Sequence, residues 1–217
     1  MERSKTVVII PAFNEEKTIF NVVTAIKKHS DVILVNDASL DNTSSLAKRA
    51  GAIVVNLNKN CGYDEALNNG FKKADELSYK YAITIDADGQ HDVSFVKKYI
   101  TLLETYDLVL GIRPKYQRLS EQIYSFFTKK LFAWHDPLCG MKGYKMEIYT
   151  NLGYFDSLGS IGTELAMFGI LNRYKTKQIH IPLNDRIDQP RFHSIYRANL
   201  IILKAMFKVL IKYRKQI

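Results

Sequence analysis

The sequence of 217 residues has little cysteine and no long run of uncharged residues. Two cysteines, Cys61 and Cys139, are too few for a disulfide framework and lack metal-finger spacing, so we expect a reducing, cytoplasmic compartment. The apolar run 7–10 is too short for the core of a signal peptide. The longest uncharged stretch near the C-terminus, 198–203, is far shorter than the roughly 20 residues of a membrane-spanning helix. The protein should therefore be soluble or lie on a membrane surface.

Acidic residues are absent from the last 29 positions, 189–217, which carry seven basic side chains. The other 188 residues hold 24 basic and 22 acidic groups, so most of the net charge of +9 lies in this segment. This distribution disfavours a globally basic nucleic-acid-binding protein, and we predict no nucleic-acid partner. We expect one nearly neutral domain, residues 1–193, followed by a basic segment, residues 194–217; two very small domains are the alternative.

Apolar runs alternate with amphipathic stretches along the first half of the chain. Val7–Pro11 predicts a buried parallel strand, and the spacing of Ile19, Val22, Val23 and Ile26 predicts a helix. Further strands are predicted at 32–35, 52–55, 81–85 and 108–111, and further helices at 42–50, 64–77 and 93–104. The alternation predicts an α/β fold with a doubly wound, mostly parallel sheet flanked by helices. The less regular second half is expected to add helices at 120–132 and 164–172 and a strand at 178–182.

Polar residues gather where these strands end. Ligands bind at the carboxyl edge of such sheets. Asp37 is the first side chain after the second strand that can reach across a cleft, where it could accept from a nucleobase N–H or a ribose hydroxyl. The alternative is a strand-end turn. No glycine-rich phosphate loop follows the first strand, since Ala12-Phe13-Asn14 stands there, and this disfavours a nucleotidyltransferase.

The segment Asp86-Ala87-Asp88 lies at the end of an apolar strand. Two close carboxylates are costly unless a cation neutralises them, and a hard divalent ion, Mg²⁺ or Mn²⁺, is the usual solution. Gln90 and His91 could complete the coordination. The alternative is a polar turn with a helix cap at Asp92.

Together these segments resemble a known family. Residues 7–16, VVIIPAFNEE, look like the opening of family-2 glycosyltransferases of GT-A fold. Residues 36–43, NDASLDNT, match the second signature of that family, and residues 86–91, DADGQH, match its metal motif. The ending Gln90-His91 is similar to the dolichyl-phosphate (polyprenyl-phosphate) mannosyltransferase branch. The resemblance covers roughly residues 6–195 and implies a GT-A-like domain.

The resemblance implies a nucleotide-sugar donor and a Mg²⁺ or Mn²⁺ cofactor. The implied donor-binding residues are Pro11, Ala12, Asn14, Glu15, Asp37, Asp86, Ala87 and Asp88. Among them Asp37 matches the base-binding acid and Asp86 the residue near the ribose. Asp88 and Gln90 match the positions that ligate the ion on the diphosphate.

The second half matches the family less closely. Asp136–Lys142 resembles the D-x-x-C-G-x-[RK] segment, and Glu164 resembles a later acidic position. Glu164 could act as a base for a hydroxyl acceptor or orient acceptor-side arginines. Two features depart from the family: Tyr63-Asp64 replaces a basic–glycine pair, and the acceptor signature around 186–194 does not align uniquely.

A phosphate acceptor needs cations rather than a general base, because a phosphomonoester is already anionic near neutral pH. Arginines bind phosphates through paired hydrogen bonds. By the resemblance, the acceptor-phosphate residues are Arg113, Arg118, Arg186 and Arg191. The predicted catalytic residues are Asp88, Arg113, Arg118, Glu164 and Arg186. Solubilising surface charge is the alternative for each arginine.

Residues 194–215 predict one long basic, amphipathic helix. At about 100° per residue, Arg197, Lys204, Lys208 and Lys215 lie within about 40° of one another, with Lys212 close by. The opposite side carries Ile202, Met206, Val209, Leu210 and Tyr213. This pattern is typical of a helix at a membrane interface, apolar below and cationic at the headgroups. The alternative is a helix that packs on the domain and shows its lysines to water.

The sequence thus predicts a metal-dependent, inverting transfer of a sugar from GDP-mannose or a UDP-sugar to a polyprenyl or dolichyl phosphate. The enzyme would work at the cytoplasmic face of a membrane. Two alternatives stay open: the same donor chemistry with a hydroxyl acceptor, and a catalytically weak, membrane-associated binding protein. The sequence does not choose between GDP and UDP or identify the sugar.

Overall fold

A single mixed sheet forms the centre of the molecule. The computed structural model describes residues 5–184 and 195–214, and within them seven strands pair in one sheet. The strands are β1 (Thr6–Ala12), β2 (Asp31–Asn36), β3 (Ile53–Asn56), β4 (Tyr81–Thr84), β5 (Leu108–Ile112), β6 (Lys142–Lys145) and β7 (Thr176–His180). Their order across the sheet is β3-β2-β1-β4-β6-β5-β7. All pairings are parallel except those of β6, so the predicted mostly parallel α/β sheet is confirmed.

Helices cover the sheet. Their bounds are α1 (Ile19–Ile26), α2 (Thr43–Arg49), α3 (Tyr63–Glu76), α4 (Phe95–Leu103), α5 (Leu119–Phe132), α6 (Met146–Leu152), α7 (Glu164–Leu171) and α8 (Ile195–Tyr213). Every strand and helix that the sequence predicted is present, with ends that shift by two residues at most. The sequence did not predict β6 and α6.

The first strand lies inside the core, and all of its residues are buried. Successive side chains of a strand point to opposite faces. Ile9 therefore packs with Phe71 of α3 on one face, while Ile10 packs with Val23 of α1 on the other. A Cβ on Gly70 would lie 2.3 Å from Ile9 Cγ2, so glycine allows α3 to approach β1 closely.

The strand β6 runs antiparallel between β4 and β5. Its sequence, KGYK, carries two lysines and a glycine and has little strand propensity. Its pairing comes from its neighbours: Gly143 opposes Ile83 of β4 and Val109 of β5. Tertiary pairing rather than local preference makes this segment a strand.

The predicted C-terminal helix is present as α8, and its apolar side faces the domain. Ile202, Met206, Val209 and Tyr213 are buried, and Ile202 and Met206 pack with Tyr124 of α5. The interpretation of this side as the membrane-facing one is therefore wrong, because intramolecular packing already covers it. The predicted boundary between 193 and 194 lies outside the described residues. Within the described part of the chain, no helix has the length and apolar character that crossing a membrane requires.

Candidate active site

A cavity of about 190 Å³ opens at the carboxyl ends of β1 and β2 and at the start of α3. Its lining residues are Pro11, Ala12, Phe13, Asp37, Asn60, Gly62, Tyr63 and Ala66. Pro11, Ala12 and Asp37 belong to the predicted donor-binding set. The fold brings these three together at one cleft.

Asp37 holds the loop that precedes α3. Its Oδ1 accepts a hydrogen bond from Cys61 N–H at 2.7 Å, and its Oδ2 accepts one from Gly62 N–H at 2.8 Å. Gly62 adopts a φ of +88°, which few other residues tolerate. The carboxylate keeps further lone pairs that a ligand could use. Contact between Asp37 and a nucleobase stays a prediction.

The loop after β1 is tied to the loop after β2. Asn14 N–H donates to Ser39 Oγ at 2.9 Å, and Asn14 Oδ1 accepts from Leu40 N–H at 2.8 Å. Glu15 N–H donates to Thr43 Oγ1 at 2.7 Å. Asn14 and Glu15 therefore hold in place the wall of the cleft formed by residues 11–13, and their contact with a nucleoside stays a prediction.

Thr18 links that wall to the Asp86–Asp88 turn. Its Oγ1 lies 2.8 Å from the carbonyl oxygen of Ala87 and 3.2 Å from Glu15 Oε2. Sequence reasoning missed Thr18, because a threonine at the start of an amphipathic helix carries no functional signal of its own.

The Asp86 carboxylate packs against the backbone of Gly140. A Cβ on Gly140 would lie 2.2 Å from Asp86 Oδ2, so no other residue leaves room for this carboxylate. Thr84 Oγ1 donates to the carbonyl of Gly140 at 2.7 Å and holds the two segments together. Gly140 of the 136–142 segment therefore lies directly against the D-x-D turn, although the two are distant in sequence.

The surroundings of Asp86 favour its charged form. Its Oδ2 lies 3.1 Å from His91 Nε2. Burial opposes the charge, but the hydrogen bond with His91 and the nearby Lys142 ammonium outweigh it and lower the pKa of Asp86. An ionised carboxylate is what a metal ion or a ribose hydroxyl requires at this position.

Asp88 and Gln90 lie on the same turn, and both are partly exposed. Gln90 N–H donates to Asp88 Oδ1 at 3.1 Å. Within residues 5–184 and 195–214, no group of three His, Cys, Asp or Glu side chains is placed to hold a metal ion. The carboxylate of Asp88 and the amide oxygen of Gln90 nevertheless suit Mg²⁺, which usually takes one or two carboxylates and completes its shell with water and phosphate. The residues present thus fit the predicted ion.

The chain returns to this turn just before residue 185. Asn184 N–H donates to the carbonyl of Gln90 at 2.7 Å, and Leu183 pairs with His91 as an isolated antiparallel bridge. Arg186 and Arg191, two of the predicted acceptor-phosphate residues, lie outside the described residues.

Arg113 forms ion pairs with two acidic side chains. Its guanidinium donates to both oxygens of Asp136, with Nε–Oδ2 at 2.8 Å and Nη2–Oδ1 at 2.9 Å, and to Glu121 Oε2 at 3.2 Å. Burial disfavours the charge, but Asp136 more than compensates, so the pKa of Arg113 rises. These ion pairs tie Arg113 to the domain, and its contact with an acceptor phosphate stays a prediction.

Arg118 shares Glu121 with Arg113. Its Nη1 lies 3.0 Å from Glu121 Oε1, and its side chain is 20% exposed against 11% for Arg113. Arg118 is thus the predicted acceptor arginine of the described region that keeps more access to solvent. Its contact with an acceptor phosphate stays a prediction.

Glu164, predicted as a base or an orienting acid, is fully buried. Its Oε2 accepts from Ser157 N–H at 2.6 Å, and its Oε1 binds Lys212 of α8. These contacts anchor the C-terminal helix to the domain. They leave the carboxylate poorly suited to remove a proton from an acceptor, and its role in orienting acceptor-side arginines stays a prediction.

The loop 153–163 joins this anchor to the cleft. Asp64 accepts from the N–H groups of Ile161 and Gly162 at 3.1 and 2.6 Å, and Lys142 Nζ donates to the carbonyl of Gly162 at 3.0 Å. Burial, followed by the charge of Asp156, raises the pKa of Asp64 to about 6. The departure of Tyr63-Asp64 from the family pattern signalled this position but not its role.

The fold is that of the GT-A class. Glucosyl-3-phosphoglycerate synthase of Mycobacterium tuberculosis, solved with Mg²⁺ and UDP, superposes with a TM-score of 0.78 at 20% identity. The superposition covers 97% of this chain and 79% of that one. The two domains therefore share one fold class, a mixed sheet flanked by helices.

Residues 7–158 match the family model of glycosyl transferase family 2. The chain belongs to this family, and the membership predicted from the sequence motifs is confirmed.

Two relatives show how far the similarity extends. An uncharacterised protein of Methanocaldococcus jannaschii is 34% identical over 202 residues, which cover 80% of this chain and 88% of the relative. The UDP-N-acetylglucosamine–dolichyl-phosphate N-acetylglucosaminyltransferase of Methanococcus voltae is 35% identical over 128 residues. That second match covers 49% of this chain, and the chain spans about half, 51%, of the length of that relative.

Proposed function

We propose that the protein transfers a sugar from a nucleotide sugar to a polyprenyl phosphate. The observation that carries the proposal is the Asp86–Asp88 turn beside a cleft lined by the ends of β1 and β2. In this family-2 domain, that arrangement would place a nucleoside next to the carboxylates of the turn. UDP in a fold neighbour and a UDP-sugar in the name of a relative support a uridine nucleotide as the first donor to test.

Asp88 and Gln90 would hold a Mg²⁺ or Mn²⁺ ion, which neutralises the leaving diphosphate when it is bound. Fold neighbours with Mn²⁺ or Mg²⁺ together with UDP support this choice of ion. Asp86, kept ionised by His91, would lie at the ribose side of the same cleft.

A lipid-phosphate acceptor is supported by two observations. One relative is by name a dolichyl-phosphate transferase, and another is an undecaprenyl-phosphate transferase of Proteus mirabilis. In addition, the hydrogen bonds and the ion pair of Glu164 leave it poorly suited to act as a base. A phosphate acceptor has no need of such a base. Arg118 is the described arginine that we assign to this phosphate.

Donor binding can be tested by thermal shift with UDP, GDP and their sugars, each with Mg²⁺ or Mn²⁺. A bound donor raises the melting temperature by mass action, by an amount that grows with its concentration over its dissociation constant. Asp88→Asn should lose the metal-dependent part of the shift. Asp107→Asn, at a surface ion pair with Lys145, is the matched control and should keep it. An equal shift in both variants would remove Asp88 from the metal site.

A further inference from the structure

The exposed apolar side chains of the molecule gather on two neighbouring helices. In the described part of the chain, eleven large hydrophobic side chains are exposed, and nine of them lie on α5 and α8. Those of α5 are Leu119, Phe126, Phe127 and Leu131. Those of α8 are Tyr196, Leu200, Ile201, Phe207 and Ile211. We call these nine residues the α5–α8 face.

The outer side of α8 is itself amphipathic. At about 100° per residue, Tyr196, Leu200, Phe207 and Ile211 fall within about 60° of one another. On the next arc of about 40° lie three exposed cations, Arg197, Lys204 and Lys208. An apolar stripe that the domain does not cover thus runs beside a cationic one. At the domain edge of the cationic stripe, Lys208 Nζ donates to the carbonyl of Leu158 at 2.6 Å.

The stripe continues onto α5. Leu203 and Leu210, which border it, are partly buried with Ile123 of α5 at the seam between the helices. Ser120 N–H also donates to Asn199 Oδ1 at 3.2 Å across the same seam. The last turn of α5 adds two exposed lysines, Lys129 and Lys130.

We propose that the α5–α8 face docks the protein on an anionic lipid surface. Apolar and aromatic side chains would enter the headgroup boundary, and the neighbouring cations would meet lipid phosphates. Charge favours this occupant over a second copy of the chain, because two such faces would bring their cations together. The inference deepens the proposed function, on which it rests for the lipid acceptor. Arg118, immediately before α5, would lie at the edge of the docked face.

The test is co-sedimentation with vesicles of phosphatidylcholine alone or mixed with phosphatidylglycerol, without donor or acceptor. Wild type should sediment with the mixed vesicles and much less with the neutral ones. Lys129→Gln/Lys130→Gln should weaken binding roughly 25-fold, about fivefold for each lysine. Lys97→Gln/Lys98→Gln on α4 removes the same charge from exposed positions elsewhere and should bind like wild type.

The apolar contribution is tested with Phe126→Ser/Phe207→Ser, which should bind weakly to both kinds of vesicle. Phe20→Ser/Leu40→Ser removes exposed apolar side chains outside the face and is the control. If the phenylalanine variant melts early, the lysine pair decides the test. The proposal is overturned if the wild-type protein does not sediment with mixed vesicles. It is also overturned if the variants of the α5–α8 face bind vesicles as well as the control variants do.

A wild-type dimer in sedimentation velocity that Phe126→Ser/Phe207→Ser dissociates would reassign the face to self-association and would also overturn the proposal. Because neither measurement involves a nucleotide, a failure here leaves the donor-binding test of the proposed function intact. A failure of donor binding likewise leaves vesicle binding unaffected.

Discussion

At the scale of single residues, the site depends on contacts that are distant in sequence. Asp86 needs Gly140 for room and His91 for charge stabilisation. The positions of Asp86, Asp88 and Asp37 at the carboxyl edge follow from the strand pattern and could be predicted. Their partners could not, because Gly140, Cys61 and Gly62 come together with them only after the sheet and the α3 loop have formed.

Gly140→Ala should displace the Asp86 carboxylate. We expect a loss of about a hundredfold in activity, since a misplacement of about 1 Å at a reacting site costs that much, and a destabilisation of about 2 kcal/mol from overpacking. The measurements are kcat/KM for the donor and urea unfolding. Gly169→Ala crowds Leu108 in the core instead and should cost stability with little loss of activity. Equal activity losses in both variants would show that stability, not Asp86, is responsible.

Asp64 should make stability depend on pH. The pKa of Asp64 in the folded state, about 6, lies above the ordinary 3.8. The folded state therefore binds a proton at a higher pH than the unfolded state does. The free energy of unfolding should therefore fall as pH rises from 4 to 6, by about 2 kcal/mol relative to Asp64→Asn. Urea titrations of both proteins across this range check the sign. A difference that grows with pH would contradict the assignment.

At the scale of elements, sequence patterns predicted what depends on local burial. The strands β1 to β5 are apolar runs, and α1, α3 and α8 carry apolar faces at helical spacing. By contrast, β6 depends on its two neighbouring strands. The amphipathicity of α8 predicted an apolar side at a membrane interface, whereas that side packs on the domain. The contacts of Tyr124 with Ile202 and Met206 join segments about eighty residues apart.

The anchor of α8 can be tested by removing one partner of a buried charge pair. Lys212→Met removes the ion-pair partner of Glu164, whose carboxylate is fully buried. We expect the free energy of unfolding to fall by about 2 kcal/mol. Lys204→Met, on the exposed side of the same helix, removes an equal charge and should cost less than about 0.5 kcal/mol. Chemical denaturation of both variants measures the difference. Equal losses would mean that the ion pair does not hold the helix.

At the scale of the whole molecule, charge and apolar surface are segregated. The net charge of +9 comes mainly from the C-terminal segment. Of the four predicted phosphate arginines, Arg113 is neutralised by Asp136 and Glu121, acids that follow it by 23 and 8 positions. A lone basic residue after a strand gives no sign of such partners. Acidic turns thus lie beside the cleft at the ends of β1 and β2, whereas exposed apolar and cationic side chains lie on α5 and α8.

The proposed reaction moves a sugar from a nucleotide to a lipid phosphate. The most direct measurement gives the protein a radiolabelled UDP- or GDP-sugar with Mg²⁺ and, in parallel, a polyprenyl phosphate or the corresponding polyprenol. We expect that label enters the organic phase with the phosphate, but not with the alcohol, and that Asp88→Asn abolishes the transfer. Label that enters with the alcohol as readily as with the phosphate, or with neither while both donors are bound, would contradict it.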